Sequence, residues 1–257
     1  MTTFPQSTVE EIAESERQMI LTAESRYGAY YVNARTCSIF LSRCIVGVSH
    51  DRMMFGRLLS LAKKHHMLAL FSTVRLHRVQ SMMNMRQVLE AGAAAAFAIA
   101  NPEQEHFVGT DEKGLLDPAQ ALTKKRYKWL EQNFEEKSDW IKTTKDRLNS
   151  WTIHANIIMS DNIFKVSESH DEISAPFFDV EDDYFVKTDL WQLASVALTL
   201  MDLFFGVNLK YKVIDFHPLF KEEITKLART TDALLAEMKE SERYKKALEK
   251  YGIKEIM

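Results

Sequence analysis

The sequence predicts an all-α protein, an elongated bundle of long antiparallel helices, and three observations predict it. Only 8 of the 257 residues are glycine and 5 are proline, so there are few places for the tight turns of a many-stranded sheet. Apolar residues make up 46% of the chain, enough for a sizeable core. Near the N-terminus Val9, Ile12, Met19, Ala23, Tyr27, Tyr30, Tyr31, Ala34, Ile39 and Cys44 recur at helical spacing. The length suits one elongated domain, so residues 1–257 read as a single unit. It holds an N-terminal helix over 8–48, a bundle core over 51–207 and a C-terminal helix over 217–250.

Each element has a local cause. Ser7 or Thr8, followed by Glu10 and Glu11, starts the first helix with acids in its first turn. Ser49-His50-Asp51 breaks it, with Asp51 as the next cap. From Arg52 to Ala100 only Gly56 and Gly92 interrupt, which predicts one very long helix or two joined at a kink. It stops at Asn101-Pro102, because a residue before proline avoids the helical region. Residues 103–117 are polar and read as a loop. Asp117 and Pro118 open a helix to about Asn133, with Trp129, Phe134, Trp140 and Ile141 facing inward, and a further helical stretch covers Thr144 to Met159. In the 162–180 insert two short apolar runs flank a polar turn, predicting a small β-hairpin or ordered loop. The acids of Asp179 to Asp183 start a helix through Phe205. Gly206-Val207-Asn208 leads to a connector, extended at Tyr211 to Ile214, and His217-Pro218 opens the last helix.

Composition narrows the function classes. A formal net charge of −3 gives no overall basic field. Cys37 and Cys44, seven apart on one helix, would be separated by roughly 10 Å along the axis, too far for a disulfide. They read as small buried residues of a reducing cytoplasm. The polar, acidic N-terminus has no signal-peptide pattern. Leu190 to Val207 is about long enough to span a bilayer, but Gln192 and Asp202 interrupt it, and a mid-bilayer charge costs roughly 2.5–3.5 kcal/mol. A central buried bundle helix explains it better, so the expectation is a cytoplasmic chain with no membrane partner.

Metal and cofactor motifs are not found. The single Glu-x-x-His, at Glu103 and His106, falls in the predicted loop, and a di-iron bundle needs two. His65 and His66 point about 100° apart on a helix. Nucleophile elbows and glycine-rich phosphate loops are missing, so no metal and no cofactor is expected.

Two features remain. Arg86 and Glu90, four apart in the apolar run from Met82 to Ala100, are neighbours on one helix face. They read as a buried ion pair, or as an arginine held ready for a phosphate or a partner carboxylate. Arg147 and His154 are seven apart, which returns them to one face within about 20°. Arginine grips phosphate oxygens bidentately, and histidine moves protons near neutral pH. Those are the two functions that metal-free RNA cleavage needs. Asn149 and Asn156 are auxiliary donors to phosphate or ribose. One such pair is a thin site, and a dimer would bring two together.

The arrangement Arg147-LNSWTI-His154, late in an all-helical chain and preceded by the helix with Arg86 and Glu90, resembles the HEPN superfamily, over roughly Leu58 to Phe205. Leu148 departs from the polar residue that commonly follows the motif arginine in active members. The resemblance implies a four- or five-helix bundle, a homodimer with a composite ribonuclease site, and a place in toxin–antitoxin or phage-defence systems with an antitoxin or regulatory protein partner. The alternative is a non-catalytic HEPN-like bundle binding a nucleotide, an RNA or a protein. Two basic runs, Arg75-Leu76-His77-Arg78 and Lys124-Lys125-Arg126, are where an RNA-facing surface would lie, although ordinary solvated helix faces carry such runs too.

Overall fold

The computed structural model describes residues 7–110, 113–117, 120–152, 165–166, 173–174 and 177–251. The helices are α1 (Val9–Leu21), α2 (Ala23–Arg43), α3 (Met53–Val74), α4 (Arg78–Ala100), α5 (Gln120–Asn133), α6 (Glu135–Thr152), α7 (Asp183–Tyr211), α8 (Phe220–Glu240) and α9 (Glu242–Tyr251). Short strands lie between them: β1 (Ile45–Val48), β2 (Gly109–Thr110), β3 (Leu116–Asp117), β4 (Lys165–Val166), β5 (Ile173–Ser174) and β6 (Ile214–Phe216). They pair antiparallel as β1–β6, β2–β3 and β4–β5. The all-α class holds, and β4–β5 is the hairpin expected in the 162–180 insert.

The spine is α7. Leu190, Leu193, Val196, Ala197, Leu200, Met201, Phe204 and Val207 are buried on it, around more than one face, as a central helix requires. By length and composition α7 could cross a membrane; in the bundle it is packed by α2, α3, α4 and α8. Contacts fix the directions. Arg78 pairs with Asp189 and Gly92 abuts Leu200, so α4 runs parallel to α7. Lys137 meets Asp202 and Lys145 meets Glu90, so α6 runs against both. On α8, Thr231 accepts from Trp191 and Met238 from Thr188, so α8 also runs against α7. Gly92 is the tightest approach: a Cβ there would overlap the Leu200 methyls.

Helix starts follow the sequence where a cap is present. Thr8 and Glu11 form a reciprocal capping box, and Asp182 Oδ1 accepts from the backbone N–H of Tyr184 and Phe185. Other expectations need correction. The predicted 8–48 helix breaks at Thr22 and again at Gly28, whose φ of 52° only glycine adopts freely; after Arg43 the chain enters β1. Asp51 is no cap. It pairs with Arg52 inside a 3-10 turn. The 52–100 stretch is two helices, one of the two expected alternatives, but they are joined by a full reversal at Arg75–His77, through Leu76 at φ 59°, and not by a kink. Helix α7 continues past Gly206 to Tyr211, because Asn208 bonds the returning chain with Oδ1 to the Val213 and Ile214 N–H groups and Nδ2 to the Ile214 carbonyl. That moves the extended segment to Ile214–Phe216. The C-terminal helix divides at Ser241. Pro118 and the predicted helix beyond Thr152 lie outside the described residues.

Candidate functional site

Helix α6 is seated by Ile141, Thr144 and Leu148, a buried stripe at helical spacing. Beside it Lys145 Nζ lies 3.1 Å from Glu90 Oε1 and donates to Tyr127 Oη at 2.8 Å. Arg86 Nε donates to the same Glu90 oxygen at 3.1 Å. The expected Arg86–Glu90 pair is therefore formed, but it is not buried. The two side chains are 37% and 34% exposed, and Glu90 is shared. Positions 86 and 90 look toward α5 and α6, not toward the α7 spine. Burial works to raise the Glu90 carboxyl, but Lys145 and Arg86 outweigh it and hold it below its ordinary range. Burial likewise opposes the charge on Lys145, and Tyr127 and Glu90 outweigh it. The network ties α4, α5 and α6 together at one level.

Arg147 is exposed on the last turns of α6. It follows Lys145 by two positions, about 200° around the helix, so it leaves α6 on the side away from Glu90. Asn149 is four residues from Lys145 and shares its side; it is half-buried, with an Oδ1 that accepts no hydrogen bond. His154 and Asn156 lie outside the described residues. Of the predicted set, the structure joins Arg86 and Glu90 to Lys145 and Tyr127, and places Arg147 apart from them.

The basic run at the α3–α4 corner is not an open surface. Glu16 of α1 accepts from Arg75 Nη1 at 3.1 Å and from His77 Nε2 at 2.8 Å. Arg78 Nε donates to buried Asp189 at 3.0 Å, and its backbone N–H to Asp179 at 2.6 Å. The Arg78 guanidinium also sits over Phe185, 4.4 Å from the ring centre. Burial raises the Asp189 carboxyl against the pull of Arg78. A cavity of about 30 Å³ adjoins the pair, between Leu76, Asp179, Phe185 and Asp189, room for roughly one water. Leu76 holds its left-handed backbone there while its side chain is buried.

One buried histidine was set aside in the sequence. His66 is 1% exposed. Its Nε2 donates to the Leu193 carbonyl at 2.9 Å, which leaves Nδ1 as the acceptor facing Ser38 Oγ at 3.0 Å. Burial draws its pKa down to about 4. The signal was the spacing, since Ala62, Ala69 and Leu70 flank it at three and four residues and are all buried. No family model matches the chain, and no curated protein or solved structure matches it.

Proposed function

We propose that the chain is a HEPN-like endoribonuclease that cleaves RNA without a metal. Arg147 binds the scissile phosphate and His154 transfers the proton. The observation that carries the reading is Arg147 itself: it is exposed, on a helix whose opposite side is fixed by the Lys145–Glu90–Arg86 network. A fixed helix lets an arginine be pre-positioned for the charge that develops on phosphorus.

The chemistry balances with these groups. The 2′-hydroxyl loses its proton to an imidazole and attacks the adjacent phosphorus. The bond from phosphorus to the 5′-oxygen breaks, and that oxygen takes a proton from a second imidazole. The products are a 2′,3′-cyclic phosphate and a 5′-hydroxyl. One chain offers one such histidine, so a homodimer supplies the acid and the base together. The test is cleavage of a mixed single-stranded RNA in EDTA. Wild type is expected to produce cyclic phosphate ends, and His154→Ala to lose at least a hundredfold in rate with unchanged circular dichroism. Equal cleavage by both proteins, or none by either, sinks the ribonuclease reading.

A further inference from the structure

Most arginines of this protein have a carboxylate. Arg17, Arg26, Arg35, Arg52, Arg75, Arg78, Arg86 and Arg243 each pair with Glu or Asp. Arg43, Arg57 and Arg229 pair with no carboxylate among the described residues, and neither does Arg126, the one arginine of α5. Among the described residues, Lys124, Lys125, Arg126 and Lys128 pair with no carboxylate. Lys125 Nζ donates instead to His106 Nδ1 at 3.1 Å. Arg126 is half-buried, donates to Thr123 Oγ1 at 3.0 Å, and lies 5.6 Å from the Phe107 ring centre. Burial pulls its guanidinium below the ordinary pKa. A half-sunk cation without a counter-charge is costly, and an anion supplied from outside relieves that cost.

The position of α5 says which anion. Tyr127 Oη meets Lys145 Nζ, and α5 and α6 form an antiparallel hairpin turned at Phe134. Residues 124–126 therefore lie level with the last turns of α6, which carry Arg147. Lys124, Lys125 and Lys128 are all exposed, and Lys128, four positions from Lys124 and three from Lys125, neighbours both on one side of the helix. The exposed positions of α5 are otherwise Ala121, Glu131, Gln132 and Asn133. A helix that lies in a membrane surface needs large apolar residues beside its cations, and this side has none.

We infer that the Lys124, Lys125 and Lys128 side of α5, anchored by Arg126 beside Phe107, is the track that binds the phosphate backbone of single-stranded RNA and leads it to the Arg147 end of the hairpin. This rests on the ribonuclease reading. The corner at Arg75–Arg78, equally basic in sequence, is excluded because Glu16, Asp179 and Asp189 already occupy it.

The test is binding, kept separate from cleavage. The probe is a fluorescent 2′-O-methyl oligouridine, which cannot be cut through its 2′-oxygen. It is titrated against the full chain over a range of salt. Each phosphate contact on a single strand contributes about 0.7 to the slope of log affinity against log salt. The variant Lys124→Gln/Lys125→Gln/Lys128→Gln is expected to lower that slope by about 2 and to weaken binding at least tenfold at low salt, with an unchanged melting temperature. A matched control, Lys221→Gln/Lys226→Gln/Arg229→Gln on α8, should leave both unchanged. Equal loss in the two variants, or loss only in the α8 variant, overturns the α5 track and leaves the cleavage reading standing. No binding by wild type also overturns it, and the EDTA assay then shows whether the ribonuclease reading falls too. Binding of phosphatidylserine vesicles, lost with the same lysines and without oligouridine binding, overturns the RNA assignment.

Discussion

His66 shows how one buried side chain contributes to the acid sensitivity of the molecule. Its pKa is about 4 in the fold and near 6.5 when unfolded. Because the folded value is the lower one, the neutral ring's contribution is complete above pH 6.5 and is lost as the pH falls toward 4. The total is roughly 3 kcal/mol. Urea midpoints measured at pH 7.5 and pH 4.5 should therefore diverge more in wild type than in His66→Gln, which cannot charge; equal divergence would contradict the assignment. Gly92 makes a steric statement of the same kind. Gly92→Ala places a methyl on Leu200 and is expected to cost about 1–3 kcal/mol by urea unfolding, whereas alanine in place of an unconstrained helical glycine stabilises. The sequence sets Gly92 among alanines, a run small enough for two helices to meet closely. It did not make the fate of Arg86 readable. Helical spacing gives which residues neighbour one another on α4, but not that their side turns toward α5 and α6.

At the scale of elements, α1 is a lightly buried helix. None of its residues is fully buried; its capping box, Met19 and Ile20 packed partly buried against the core, and the clip from Glu16 to Arg75 and His77 hold it. Partly exposed ion pairs are worth about 1 kcal/mol or less. Glu16→Ala should accordingly speed amide hydrogen exchange across α1 while shifting the global unfolding midpoint by less than about 1 kcal/mol. A large global loss would mean that α1 belongs to the core. Element boundaries were legible where a side chain made them: Thr8 with Glu11, Asp182, and the Asn101-Pro102 stop. They were hidden where the tertiary fold made them. The reversal at Leu76 sits in a run with no breaker, held by the Asp179 N–H on the Leu76 carbonyl from about a hundred residues away. The extension of α7 past Gly206 depends on Asn208 receiving a strand that the sequence does not place.

For the whole molecule, composition and periodicity were enough to give the class, because both report directly on burial. Charge was different. The two basic runs look alike as sequence, and only the fold supplies carboxylates to one and leaves the other without them. The antiparallel arrangement expected of the bundle holds for α8 against α7, but α4 runs parallel to α7, because direction follows from which apolar faces meet and not from any single face.

The spine has a consequence for how the chain is made. Helix α2 packs on the spine and is bonded by α8, both distant in sequence: Tyr30 bonds the Leu234 carbonyl, 204 residues on, and Asn33 bonds Thr231, 198 residues on. By contrast α3 and α4 are a local hairpin and can form early. At about 5–20 residues per second, α2 emerges from the ribosome on the order of 10–40 s before the helices that cover it. Throughout that interval Tyr27, Tyr30, Tyr31 and Leu41 are a sticky ribbon without a lid, so the yield of native protein should depend on chaperone supply during translation more than on the stability of the finished bundle.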